Sequence, residues 1–367
     1  MKIGILTFHC AHNYGAMLQT YATQEIFRGA GHDVEVVDYR PSYLIKPFKW
    51  FCLSRIRKKD GSFTFKHMFA EIVLLPFRYV RYQRFNRFMT SRMQLSATVY
   101  PESFEGNYDV IVIGSDQVWN YQLTGGNFDK MYLAHFPFEK NSRLYIADAV
   151  SMDADIMCPD HVRQLSDASK NFDVLTSREA DTVEWLNTFS SKEFKHIQDP
   201  VLQVDPKIWH NLALPVKKKN PYLVVYKMRL NKNIDVFARQ IAEQYGLDIV
   251  EIIPAPDASK LLVHEQAVSV EKFLGYFAGA SFVLTSSFHG TAFSLIFKRQ
   301  FFSLTFGDGK DSRIKSLLSS LGVADRMISV ESELPEISEI DYDKVSSRMD
   351  TFRKEASELL LGSLSSK

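Results

Sequence analysis

The stretch Thr285–Phe297 reads TSSFHGTAFSLIF, and it limits the possible folds more than any other part of the chain. The apolar residues before it, Ala280–Leu284, read as the end of a buried strand, and Thr291–Phe297 is small and then apolar at helical spacing. A strand passing through a tight polar turn into a helix is a unit of layered α/β architecture. Gly290 permits a turn or a close approach of backbone to ligand. The helix that follows points its free N–H groups above the turn, where they attract anions. Ser286, Ser287, Thr291 and His289 gather hydroxyls and an imidazole at the same spot. Phosphate or carboxylate binding is one reading, with His289 moving a proton. A capped helix end is the other, with Ser287 or Thr291 as the cap and His289 as a satisfied core histidine.

The same alternation recurs along the 367 residues, a length suited to two domains. A strand at Ile3–Phe8, a helix at Ala16–Arg28 and a strand at Val34–Asp38 open a doubly wound sheet. It resumes with strands at Val110–Ile113, Leu144–Ala147 and Phe172–Leu175, and helices near Asp160–Lys170 and from about Glu179. A second set starts at Tyr222–Tyr226. It continues through a helix at Ile234–Tyr245, strand Ile249–Ile253, helix Glu271–Ala278, strand Phe282–Leu284, helix Thr291–Phe297 and strand Phe301–Leu304. The polar KKKNP at 217–221 marks a boundary, and a polar helix over about Tyr342–Leu361 ends the chain. The expected fold class is therefore α/β, with two Rossmann-like domains facing a cleft. Residues 1–205 form the N-terminal domain and 206–367 the C-terminal domain with its terminal helix. The loops 9–15 and 114–120 and the turn 286–290 should surround the cleft, because ligands of open α/β sheets lie beyond the carboxyl ends of the strands.

Charge is unevenly spread. Residues 46–92 carry twelve Lys/Arg against Asp60 and Glu71, a net +10, so the rest of a chain of net +1 carries −9. Eleven aromatic residues lie in the same segment. Tyr79, Tyr82, Phe85 and Phe88 with Arg78, Arg81, Arg84 and Arg87 recur at threes, the pattern of an interfacial helix face. A basic-aromatic helical insertion that meets the cytoplasmic face of the membrane is one expectation; a solvated arginine rim around core aromatics is the other. Nothing else supports a nucleic-acid partner. Cys10, Cys52 and Cys158 are too few and too scattered for a disulfide framework or a zinc pattern, and a buried thiol is the expected state of Cys10 beside His9 and His12. The start MKIGILTF is too short for a signal peptide. No window approaches the ~18 apolar residues of a spanning helix. A cytoplasmic protein, peripheral at the membrane at most, is expected.

Taken with GILTFHCAHNYGAMLQTYA (Gly4–Ala22), YDVIVIGSDQVWN (Tyr108–Asn120), Ser177-Arg178-Glu179, Asp199-Pro200 and DSRIKSLLSSLGVADR (Asp311–Arg326), the SSFHGTAFSLIF segment resembles the polysaccharide pyruvyl transferase family, over roughly Met1 to Arg326. The resemblance implies a glycosyltransferase-B-like pair of domains. It also implies transfer of a pyruvyl group from phosphoenolpyruvate to two hydroxyls of a sugar, in a cell-surface polysaccharide or its lipid-linked precursor. The product is a cyclic ketal and phosphate is released. No cofactor and no metal are implied, phosphoenolpyruvate being a co-substrate. The donor carries a carboxylate and a phosphate and calls for cations and backbone donors, and the proton transfers call for an acid and a base.

On this basis His289 and Asp116 are the expected catalytic pair. Arg178, Ser287, Gly290, Thr291 and Arg313 are expected to hold the donor, Arg178 as a bidentate clamp. Lys310 is a weaker candidate. Asn13, Tyr14, Gly15, Gln19, Trp119 and Asn120 are expected on the acceptor side, Trp119 as a stacking face. Each has an ordinary counterpart: Asn13 or Asp116 as helix caps, Trp119 in the core, Arg178 paired with Glu179. One departure stands out. ADAVS at 147–151 places Asp148 where the family usually has a small residue, which bears on the acceptor or on activity. The competing functions are a nucleotide-sugar glycosyltransferase of the same fold and an inactive scaffold in polysaccharide assembly.

Overall fold

The computed structural model describes residues 1–52, 65–138, 142–260 and 265–365. Twelve strands form two all-parallel sheets among these residues. The first contains β1 (Lys2–Leu6), β2 (Asp33–Tyr39), β3 (Leu95–Val99), β4 (Val110–Gly114), β5 (Leu144–Val150), β6 (Val174–Ser177) and β7 (Lys195–His196), in the order β3-β2-β1-β4-β5-β6-β7. The second contains β8 (Tyr222–Tyr226), β9 (Asp248–Ile252), β10 (Phe282–Thr285), β11 (Gln300–Thr305) and β12 (Met327–Ser329), in the order β12-β11-β10-β8-β9. Strands buried on both faces explain the near-continuous apolar runs VIVIG and YLVVY. The strand order reverses between β1 and β4 in one sheet and between β8 and β10 in the other, and such reversals open a crevice above the strand ends.

The two Rossmann-like halves expected from the sequence are present and face one cleft, in the glycosyltransferase-B-like manner. Their boundaries differ in detail. The first helix runs Tyr14–Gly29, capped by Asn13, whose Oδ1 accepts from the amides of Gly15 and Ala16. The helix expected at Thr291–Phe297 runs Phe288–Ile296, because Ser287 sits in extended backbone and its hydroxyl accepts the Gly290 amide. Strand β6 lies two residues later than expected, leaving Phe172 to pack beneath Trp119. The terminal helix, Tyr342–Ser365, crosses back to the first half, where Leu360 and Leu364 pack with Ile3, Ile5 and Val112.

The insertion is helical over Phe65–Arg92 and feeds the edge strand β3. The basic run 55–59, Asp60 and Phe63 lie outside the described residues. The expected interfacial face at 78–88 is corrected. Phe85 and Phe88 are fully buried. Arg81 is buried too and donates to the Tyr14 hydroxyl and the His12 carbonyl, while Arg84 donates to the Ala267 carbonyl of the second half. Tyr14 completes the junction: its hydroxyl donates to Val268 O at 2.9 Å and its ring stacks on Phe273 at 4.3 Å. No helix among the described residues is long and apolar enough to cross a membrane.

Candidate active site

The two strand-order reversals meet at a cleft of about 410 Å³. Asn13, Asp116 and Gln117 line it from the first half, and Ser287, His289, Lys310 and Arg313 from the second. Asp116 follows β4 with a left-handed φ of 66°, a costly conformation for a non-glycine residue and one that concentrates at functional positions. Its Oδ1 accepts from the Gln117 amide and lies 3.5 Å from Arg178 Nη2.

His289 sits in the first turn of the Phe288–Ile296 helix, nearly buried. Its ring lies hard against the first helix of the other half: a β-carbon on Gly15 would stand 2.0 Å from His289 Nδ1. Gly15 is therefore required for close approach, but by the histidine and not by a ligand. His289 Nε2 lies 3.8 Å from Asp199 Oδ2 and makes no hydrogen bond. Burial pushes its pKa down and Asp199 pulls against that, so the resting imidazole is neutral with a carboxylate in place for its cation.

Behind His289 lies a charge cluster. Arg178 is fully buried and donates to Asp199 Oδ2 at 2.5 Å and, through Nε, to Glu179 Oε1 at 3.3 Å. Burial opposes its charge, but Asp199, Glu179 and Asp116 outweigh that and hold the guanidinium protonated. Asp199 is pushed up by burial and, more strongly, pulled below the usual carboxylate range by His289 and Arg178. It also accepts from Ser115 Oγ and the Val201 amide. Asp148 is fully buried beside this group, with the Gln203 side chain against it. Burial, and then the Asp199 charge, push its pKa up to about 7.

These contacts redistribute the expected roles. Arg178 is no open clamp, since its charge is taken up by carboxylates of the same half. Arg313 is half-exposed, lines the cleft and forms no hydrogen bond among the described residues. Burial and then the neighbouring Arg178 press against its positive charge, a stress that a bound anion relieves. Lys310, the other cation at the cleft with no side-chain hydrogen bond among the described residues, stands beside it. Arg229 is held by Asp308 and Asp311. Ser287 faces the cleft, but its hydroxyl caps the helix. Thr291 turns inward to Ser287 O and Ser303 Oγ, and a β-carbon on Gly290 would meet Thr285 Oγ1 at 2.2 Å, so both serve helix-on-strand packing.

Of the six residues expected to bind the acceptor, Asn13 alone lines the cleft. Tyr14 is the interdomain bridge described above. Gln19 is fully buried, with Nε2 donating to Thr7 Oγ1. Trp119 is fully buried, its Nε1 donating to Tyr132 O at 2.8 Å and its ring against Phe172 and Phe194, so it is no stacking face for a sugar. Asn120 is buried, accepting from the Gln122 amide in a local turn. Cys10 is buried, which pushes its thiol up to about 12, and His9 is bonded to Asp38. No group of three or more His, Cys, Asp or Glu suited to a metal occurs among the described residues.

Sequence reasoning missed Asp199 and Glu179 as parts of the site. The local signal for Asp199 is the Asp199-Pro200 pair of the family resemblance; in the structure Asp199 caps the short helix that starts at Pro200, accepting the Val201 amide.

Residues 13–308 match the family model described as polysaccharide pyruvyl transferase. No curated protein matches the chain. Among solved structures, UDP-GlcNAc 2-epimerase from Neisseria meningitidis bound to UDP-GlcNAc is 9% identical with a TM-score of 0.46, covering 97% of this chain and 94% of its own. A second UDP-N-acetylglucosamine 2-epimerase is 9% identical at TM-score 0.49, with coverages of 100% and 96%. The heptosyltransferase WaaC of E. coli with ADP is 12% identical at TM-score 0.38, with coverages of 96% and 100%.

Proposed function

The chain belongs to the polysaccharide pyruvyl transferase family, and from that premise we propose that it transfers a pyruvyl group from phosphoenolpyruvate to a sugar of a cell-surface polysaccharide or its lipid-linked precursor. The product is a pyruvate ketal and phosphate leaves. One sugar hydroxyl adds to C2 of the donor while C3 takes a proton and becomes the methyl group. The second hydroxyl then replaces phosphate at C2. Two C–O bonds form and one C–O bond to phosphate breaks. Of the two hydroxyl protons, one ends on C3 and the other on phosphate, so no oxidant or reductant enters.

The observation that carries this reading is the grouping, on one side of the cleft, of a His289 Nε2 with no hydrogen bond among the described residues and the cations Arg313 and Lys310, which make no side-chain hydrogen bond among them either. The cations and the N-terminus of the Phe288–Ile296 helix bind the two anionic groups of the donor. His289, neutral at rest, takes a hydroxyl proton and delivers it to C3, with Asp199 stabilising the imidazolium between those events. Asp116 accepts a hydrogen bond or proton from the acceptor hydroxyl. No cofactor or metal is assigned a step. The protein works in the cytoplasm, where phosphoenolpyruvate is made, on an acceptor at the inner face of the cell membrane.

The test is incubation with phosphoenolpyruvate and a panel of lipid-linked oligosaccharides, following phosphate release and product mass. Ketal formation that is lost in His289→Ala is expected. A folded protein that binds no phosphoenolpyruvate sinks the proposal.

A further inference from the structure

The insertion helix Phe65–Arg92 has two apolar faces, one packed against the protein and one exposed. At about 100° per residue, positions 65, 69, 72, 76 and 79 share an arc of about 80°, while 74, 81, 85 and 88 share an arc of about 60° on the opposite side. The second set is buried: Leu74, Arg81, Phe85 and Phe88 face the protein. The first set is open to solvent, with Phe65 at 78%, Phe69 at 68%, Ile72 at 51% and Tyr79 at 46% exposure. Trp50 packs edge-on to Tyr79 at 5.4 Å and contacts Phe51, so the preceding segment extends the same stripe. An exposed apolar stripe of this length marks an interaction surface.

We propose that this face docks on the surface of an anionic lipid bilayer, with Trp50, Phe51, Phe65, Phe69, Ile72 and Tyr79 entering the headgroup boundary. Charge selects the occupant. The segment 46–92 carries +10 in the sequence and the remainder −9, and its described residues alone carry eight Lys/Arg against Glu71, a net +7, so an anionic surface attracts this edge of the molecule and repels the rest, which fixes the orientation. A second copy of the chain is disfavoured by the same count, because a two-fold contact would press two +10 segments together. Aromatic residues beside cations suit the interface better than the hydrocarbon core. The buried face holds the helix to both halves through Arg81 and Arg84, so the docked surface is rigidly tied to the cleft. Pro47 and Phe48 line that cleft shortly before Trp50, which brings its mouth beside the bilayer. The corollary that the acceptor is presented from a lipid rests on the pyruvyl-transfer reading; the docking does not.

Flotation of the full chain with vesicles of phosphatidylcholine containing about one third phosphatidylglycerol tests it without any turnover. Expected are flotation at low salt, release at 1 M salt, none with pure phosphatidylcholine, and at least a tenfold weaker partition for Phe65→Ser/Phe69→Ser/Ile72→Ser. These side chains face solvent, so the triple variant should keep the parental unfolding midpoint. No flotation of the parent chain on anionic vesicles at low salt overturns the proposal. So does undiminished flotation of the triple variant. Self-association that the triple variant abolishes, without flotation, assigns the face to a second copy instead. Loss of phosphoenolpyruvate turnover with flotation intact would count against the reaction and not against the docking.

Discussion

The two walls of the cleft use charge in opposite ways. On the N-terminal wall the cation near the catalytic position is surrounded by carboxylates: Arg178 bonds Asp199 and Glu179, its Nη2 lies 3.5 Å from Asp116 without a hydrogen bond among the described residues, and Asp148 is buried behind them. On the C-terminal wall Arg313 and Lys310 are uncommitted and His289 has no hydrogen bond at Nε2. A closed network holds geometry, whereas an open set of cations waits for a ligand. His289 belongs to both walls. It is carried by the second half, seated against Gly15 and electrostatically backed by Asp199 of the first.

The most damaging change should be at that seat. His289→Ala should lower turnover by roughly 10³-fold, within the range for a lost proton-transfer group, with little change in the unfolding midpoint. Gly15→Ala should approach the same loss, because its methyl occupies the place of the His289 ring. The double variant should then be little worse than either alone. Additive losses would mean that Gly15 and His289 act separately and that the two walls are not joined there.

Next come the two arginines, which separate the walls directly. Arg178→Ala leaves buried carboxylates unpaired and should cost about 3–5 kcal/mol of stability. Arg313→Ala should leave the midpoint within about 0.5 kcal/mol and weaken phosphoenolpyruvate binding at least tenfold. Calorimetry and a binding titration read both. If Arg313→Ala binds the donor normally while a folded Arg178→Lys does not, the assignment of closed and open walls is reversed.

What local sequence can show explains which residues were placed correctly. The strand-helix alternation is written in neighbouring residues, and it located both sheets and the three cleft loops. Asn13, Asp116, His289 and Arg313 sit on those loops and line the cleft, as expected. Tyr14, Gln19 and Trp119 sit in the same motifs but point the other way. Tyr14 reaches Val268, 254 positions away, and Trp119 packs on Phe172 and Phe194, partners that no local pattern reports, whereas Gln19 turns inward to Thr7 within its own strand-helix unit. Arg178 and its pairing with the adjacent Glu179 were legible after a strand, but its burial depends also on Asp199, 21 positions on and in another element. The insertion was legible as basic and helical, and its two opposed faces were not, because arginines at threes look alike whether they meet solvent or a carbonyl.

A smaller effect tests the carboxylate behind the N-terminal wall. Burial, and then the Asp199 charge, raise the pKa of Asp148 from the ordinary carboxyl value of 3.8 to about 7. The folded state therefore binds a proton that the unfolded state releases, and the cost of ionising Asp148 grows as pH rises from about 4 through 7. Asp148→Asn removes that cost, so it should stabilise the protein more at pH 8 than at pH 5, by a difference of at least about 1 kcal/mol, with the effect vanishing only below about pH 4. Denaturant titrations at the two pH values check the sign. Equal effects at both would mean that Asp148 is not the titrating group.

The smallest expected effect bears on Trp119, whose two possible roles give different observables. As a sugar platform, its loss would raise the acceptor KM and spare stability. As a core residue donating Nε1–H to Tyr132 O at 2.8 Å, Trp119→Phe leaves a buried carbonyl short of its donor and should cost about 1–3 kcal/mol, toward the lower end where a phenyl ring refills most of the space. The acceptor KM should stay within about twofold, since the ring lies between Phe172 and Phe194 and not on the cleft lining. A several-fold rise in acceptor KM at unchanged stability would move Trp119 back to the cleft and would mean that the N-terminal wall binds substrate as openly as the C-terminal one.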